Sequence, residues 1–131
     1  DALMRFTADM KEGDSQKYAK IISDYANRTK CFLNPELDIK ILSHKTGISQ
    51  EKITQSLKEI YNTNFYDFIN KLRIERAINV LKEDTHNQQT IDTITFQSGF
   101  ASREDFLKAF KYYTGKSLSQ WLKDIGSTNI I

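Results

Sequence analysis

Two short stretches concentrate side chains able to pair with base edges and with phosphate. In the first, Gln50, Glu51, Thr54, Gln55 and Lys58 stand opposite an apolar line of Ile53, Leu57 and Ile60. On a helix that spacing sends the two sets to opposite faces. A Gln amide can pair with adenine N6 and N7. In the second, Ser102, Arg103, Glu104, Asp105 and Lys108 stand opposite Phe106 and Phe110. Arg103 and Lys108 suit guanine O6 and N7, and Glu104 can accept from cytosine N4 or orient Arg103. An acidic group facing DNA repels phosphate unless it is so used. Glu104 and Asp105 equally suit the positive end of a helix, and both readings stay open. Lys58, Lys111, Tyr112 and the hydroxyls of Ser49 and Ser102 are candidates for phosphate, with the backbone N–H groups at helix starts. Arg73 and Arg76 fall on a longer helix, and Arg73 is read as a structural ion-pair partner rather than a DNA contact. Phe100, Phe106, Phe110 and Trp121 have helical spacing and are assigned to the core, not to base stacking.

Other chemistries fit poorly. Cys31 has no His near it in sequence, and His44 and His86 fall in a helix and a polar loop. No phosphate-cradling glycine loop of either common type is present. Two His and one Cys without a CxxC or HxxxH pair make a structural zinc site improbable. No catalytic residue, metal or cofactor is therefore expected. The 131 residues make one ordinary domain or two very small ones. They are 39% apolar and 27% charged, enough to bury a core. Nineteen Lys and Arg against seventeen Asp and Glu give +2, which excludes a polycationic coat but not a local basic surface. One Cys excludes an internal disulfide framework and makes a reducing compartment the simplest setting. No apolar run approaches eighteen residues, so no membrane contact is expected. The chain begins at Asp1 without a visible signal peptide and reads as a fragment of something longer.

The elements that must carry these side chains are helices. Glycine and proline are scarce, and β-branched strand-like runs are lacking; Thr90–Thr95 comes nearest but suits a helix better. Residues 1–13 read as a weak segment. Asp14 or Ser15 can cap a helix to about Leu33, with Tyr18, Ile22, Tyr25, Ala26, Thr29 and Leu33 inward. Asn34-Pro35 breaks it. Helices follow over about Leu37–Thr46, from Ser49 to about Tyr61, and over Asn64–Lys82. Residues 83–89 form a polar connector. Further helices run from Thr90 or Ile91 to about Ser98, over Arg103–Tyr113, and from Ser117 through Trp121 to Asp124, with a loose tail.

Two parts of the chain overlay. Ile39, Leu42, Ser43, Gly47 and Ile48 meet Ile91, Ile94, Thr95, Gly99 and Phe100. After a one-residue insertion, Ile53, Leu57, Lys58, Asn62, Phe65 and Phe68 meet Phe106, Phe110, Lys111, Gly115, Leu118 and Trp121. Each copy reads as helix, glycine turn, helix and the start of a third, which is the helix-turn-helix pattern. A generic bundle would share the helical period; the shared turn and stop residues favour a true repeat. A connecting helix of about seventeen residues spans about 26 Å. Successive major-groove faces lie about 34 Å apart, so one chain could present both recognition helices to one face of a duplex.

The stretch TIDTITFQSGFASREDFLKAFKYYTGKSLSQWL resembles the signature of the AraC/XylS family of bacterial transcription regulators. The matching residues are Ile94, Thr95, Gly99-Phe100, Phe106, Phe110-Lys111, Gly115, Ser117-Leu118 and Trp121. NFYDFINKLRIERAINVL resembles the family's connecting helix, with Leu72-Arg73 and Ala77 in place. Thr95 replaces the usual Ala, Leu118 the usual Pro, and Asn62 a common Gly. The resemblance implies an all-α fold of two helix-turn-helix subdomains joined by a long helix and preceded by an N-terminal linker helix. The corresponding segments are 1–34, 35–84 and 85–131. It implies promoter DNA as partner and Gln50, Glu51, Thr54 and Gln55 at base-facing positions of the first recognition helix. It also implies activation of transcription through RNA polymerase and signal sensing in an upstream domain. CFLNPELDIKILS resembles the lead-in of members attached behind a sensor or membrane module. The helix of residues 14–33 is then either a linker or dimerising element, or simply packs on the first subdomain. A helical protein-interaction module without DNA binding is the alternative reading. The Gln, Arg and Lys content of both second helices and the repeated turn glycine count against it.

Overall fold

The computed structural model describes residues 12–84 and 89–130, with side chains over 14–84 and 89–125. The expected weak segment before Glu12, most of the polar connector with His86, and Ile131 lie outside the described residues. Seven α-helices and no strand occur among them: α1 (Glu12–Thr29), α2 (Ile39–Thr46), α3 (Gln50–Tyr61), α4 (Phe65–Glu83), α5 (Ile91–Gln97), α6 (Arg103–Thr114) and α7 (Leu118–Ile130). A 3-10 turn, Cys31–Leu33, follows α1. The all-α, two helix-turn-helix architecture is thus present. None of these helices is long and apolar enough to cross a membrane.

The described residues form two compact units, one of 12–31 and 37–68, the other of 32–36, 69–84 and 89–130. Two packing features underlie this division. Helix α1 buries Ala19, Ile22 and Ala26, and Ile22 joins Leu42, Ile48, Ile53 and Leu57 in the first core. Helix α4 gives Phe65 and Phe68 to that core, then Ile74, Ala77 and Val80 to the second. The broad apolar face that the sequence gives this helix through Phe65, Phe68, Ile69, Leu72, Ala77, Ile78 and Leu81 is thus shared between two cores. Leu72, Ile78 and Leu81 are only half-buried.

In the first unit, α1 starts before Asp14 and Ser15, which lie inside it and do not cap it. It stops at Thr29, short of Leu33, because Lys30 takes a left-handed conformation at φ 56. The Thr29 hydroxyl donates back to the Tyr25 carbonyl and accepts from the Cys31 N–H, which secures the stop. Helix α2 begins at Ile39 rather than Leu37, behind a cap from Asp38, whose carboxylate accepts from the Ile41 N–H at 2.8 Å. Across the turn between α2 and α3, the Ser43 hydroxyl donates to the Ile48 carbonyl at 2.6 Å.

In the second unit, Phe100, Phe106, Phe110 and Trp121 form a chain of ring contacts with centroids 5.5–5.9 Å apart. They are core, as their spacing indicates. Thr95, where alanine is usual, is fully buried, and its hydroxyl donates to the Ile91 carbonyl at 2.7 Å. Leu118, in the place of the usual proline, is 5% exposed and fills an apolar slot. Helix α7 continues to Ile130, beyond the expected end at Asp124. Arg73 is 8% exposed; its Nε donates to the Phe32 carbonyl and its Nη2 to the Asn34 carbonyl, at 2.6 and 2.9 Å. The role is structural, and two backbone carbonyls are among the partners that define it.

Gly99 is set by proximity as well as by its φ of +92: a Cβ there would lie 2.3 Å from the Phe32 carbonyl oxygen and 2.8 Å from Leu33 Cα. Both neighbours are backbone and cannot swing away. Gly47, at the equivalent turn of the first unit, has φ +75 and open space around it. Gly99→Ala should therefore cost about 2–5 kcal/mol, conformational strain plus overpacking. Gly47→Ala should cost about 1–2 kcal/mol from strain alone. Urea unfolding of both variants measures the difference, and equal losses would contradict the close-approach account.

Candidate nucleic-acid interface

Helix α3 is fixed at both ends. The Ser49 hydroxyl caps its start, accepting from the Lys52 N–H at 3.3 Å. Asn62 closes it in the left-handed conformation at φ 51, its N–H donating to the Lys58 carbonyl. Asn tolerates this conformation better than most residues, which explains how it serves where glycine is common. Ile53 and Leu57 are fully buried, while Gln50, Glu51, Thr54 and Lys58 are exposed and Gln55 is half-buried. These five polar residues line one open concavity of about 850 Å³, completed by Ile39, Glu59 and Asn62. The sequence-identified set of the first recognition helix is thus brought together on one surface.

Glu59 was not among the sequence candidates. Its carboxylate accepts from Gln55 Nε2 at 2.9 Å and from the Ser15 hydroxyl. Those bonds, the one from Ser15 above all, hold its pKa below the usual carboxylate value. Such stabilisation is present above the ordinary glutamate pKa and is lost as pH falls through the lowered value of the folded chain. The Gln55–Glu59 spacing of four residues was the available signal for the local pair. Nothing in the sequence signalled Ser15, which lies 44 positions away.

Helix α6 is built alike. Ser102 caps it, accepting from the Asp105 N–H at 3.1 Å, and Gly115 closes it. Phe106, Ala109 and Phe110 are buried; Arg103, Glu104, Asp105, Lys108, Lys111 and Tyr112 are exposed. Glu104 and Asp105 lie in the first turn, where a carboxylate meets the positive end of the helix. Arg103 Nε donates to Asp92 Oδ1 of α5 at 2.9 Å, a bond that raises the guanidinium pKa. Asp92, not Glu104, is therefore the carboxylate that orients Arg103 here. The pair is more than half exposed on each side, so water competes for it. Tyr112 is 70% exposed, with its ring set edge-on to Tyr113.

The other sequence candidates do not converge. Cys31 is half-buried beside the first core and His44 is exposed. Among the described residues, no group of three or more His, Cys, Asp or Glu side chains could hold a metal ion.

Comparison with known proteins agrees with this geometry. The family described as "Helix-turn-helix domain" matches residues 42–124. An uncharacterised HTH-type transcriptional regulator of Staphylococcus aureus (strain COL) is 32% identical over 90 residues, which are 68% of this chain and 12% of that protein. The chain thus spans only a small part of that relative's length. Among solved structures, a probable AraC family transcriptional regulator from Rhodopseudomonas palustris matches with a TM-score of 0.66 at 21% identity, over 80% of this chain and 94% of that one. The DNA-binding domain of AdpA, a global transcriptional factor solved in complex with a target DNA, matches with a TM-score of 0.63 at 12% identity, over 79% and 90% of the two chains. Paired capped helices, each offering a polar face from a helix-turn-helix, together with the family match over residues 42–124, place this chain in the AraC/XylS family as a DNA-binding transcription regulator domain.

Proposed function

We propose that the chain reads promoter DNA by inserting α3 and α6 into adjacent major-groove segments. The observation that carries this reading is the concavity on α3, where Gln50, Glu51, Thr54, Gln55 and Lys58 converge while the opposite face is buried. Gln50, Glu51, Thr54 and Gln55 read bases from the first helix; Ser102, Arg103, Glu104 and Lys108 read them from the second. Ser49, Lys58, Lys111 and Tyr112 bind phosphate. The two cap serines use their oxygens as acceptors for backbone N–H, and phosphate oxygens would take their hydroxyl protons. Arg103 gives up little when it leaves Asp92, because an exposed ion pair is weak in water. A bidentate contact to guanine in the groove is stronger and favours the exchange.

In this reading the domain belongs to a bacterial cytoplasmic activator that contacts RNA polymerase and receives its signal from an upstream sensor domain. The length of the Staphylococcus aureus relative, of which the chain spans 12%, supports a larger protein around such a domain.

Binding to duplex DNA across a salt series tests the reading. Log affinity should fall linearly with log salt, with a slope set by the phosphates contacted. Affinity absent even at low salt would overturn it. Arg103→Ala should lose about five- to 150-fold on a selected duplex and less on random DNA. An equal loss on both would remove Arg103 from the base readers. Lys111→Ala should weaken both kinds of DNA and lower the salt slope by about one. An unchanged slope would remove Lys111 from the phosphate contacts.

A further inference from the structure

Glu59 connects a base-reading candidate to the helix that precedes the first helix-turn-helix. One carboxylate oxygen accepts from Gln55 Nε2 and the other from the Ser15 hydroxyl of α1. Ser15 is 1% exposed, on a helix whose Ala19, Ile22 and Ala26 are buried. Two further contacts seat α1 on α3: the Tyr61 hydroxyl donates to the Ala19 carbonyl at 3.4 Å, and the Lys52 ammonium lies 5.4 Å from the Tyr18 ring centre. The Ser15 anchor of Glu59 is therefore a packed element rather than a mobile side chain.

We infer that Glu59 is a specificity-determining positioning residue, which fixes the orientation of the Gln55 amide and ties that orientation to the seating of α1. The inference deepens the DNA-reading role proposed above for Gln55 and rests on it. An ionised carboxylate only accepts hydrogen bonds, so it holds the NH2 end of an amide and repels the oxygen end. With Nε2 on Glu59, the Gln55 amide has one defined sense. Its oxygen end is turned away from the carboxylate, so the amide presents donor and acceptor in one fixed order, and adenine N7 and N6 distinguish that order. A reversed amide would offer the two in the opposite order. Ordering a rotamer-rich side chain before binding also lowers the entropy cost paid in the groove. The path runs from α1 through Ser15 and Glu59 to Gln55, so a shift of α1 would change base preference without touching DNA.

The test is selection from a randomised duplex pool by the chain and four variants: Gln55→Ala, Glu59→Gln, Ser15→Ala and the Gln55→Ala, Glu59→Gln double variant. Gln55→Ala should erase the preference at one base pair and so locate the position it reads. Glu59→Gln, whose amide can donate or accept, should weaken that same preference by at least about fivefold. Other positions and the salt slope should stay as they are. Ser15→Ala should act in the same direction, more weakly. In the Gln55→Ala background, Glu59→Gln should add nothing, since the residue it positions is gone. An unaltered preference in Glu59→Gln, or a further loss in the double variant, would overturn the positioning role. If Glu59→Gln loses the whole first half-site, Ser15→Ala decides, and an unaltered preference there overturns the role. A parent chain that enriches no site would instead overturn the DNA-reading role of Gln55, and with it this inference.

Discussion

A buried guanidinium organises the second helix-turn-helix. Arg73 leaves water to donate to the Phe32 and Asn34 carbonyls, and its charge lies 5.8 Å from the centre of the Phe100 ring. Burying a cation is costly unless its N–H groups find acceptors, and charge-assisted bonds to carbonyls supply them. Those bonds hold the 32–36 segment, which belongs to the second unit although the residues on either side of it belong to the first. The same segment passes so close to Gly99 that no side chain fits there. Gly99 in turn places Phe100, which meets Phe106 and through it Phe110 and Trp121. The recognition helix α6 is thus held from behind by an aromatic core whose first ring is positioned by a glycine turn and an arginine.

The first unit reaches a similar result by other means. Its equivalent glycine, Gly47, is uncrowded, and the turn is tied by the Ser43 hydroxyl instead. The support behind α3 comes from α1, through the Ile22 cluster and the contacts of Ser15, Tyr18 and Ala19. Both recognition helices start at a serine cap and end in a left-handed residue. Each carries one candidate reader held by a carboxylate, Gln55 by Glu59 and Arg103 by Asp92. A repeated motif therefore keeps its presented face constant while the packing behind it differs.

How much of this was legible in the sequence follows from the range of each interaction. Caps and stops act within a turn, so Ser49, Ser102, Gly47, Asn62 and Gly115 could be placed from residue type and spacing. The polar faces of α3 and α6 followed from the period of Ile53 and Leu57 and of Phe106 and Phe110. Interactions across long sequence separations left no local trace. Ser15 looked like a cap because serine commonly is one, yet it is buried inside α1 against Glu59. Arg73 was assigned to structure, but its carbonyl partners lie about forty residues upstream. The end of α1 at Lys30 could not be read, because lysine carries no preference for a positive φ. Helix α4 reads as one broad apolar face, and periodicity carries no sign that this face serves two cores in succession.

The central claim is that both recognition helices read DNA from one chain. The most direct measurement is the arrangement of bases enriched from a randomised duplex pool by this chain alone. The account predicts a site of two short half-motifs about one helical turn apart. A single half-motif, or no enrichment with only weak salt-dependent binding, would contradict it.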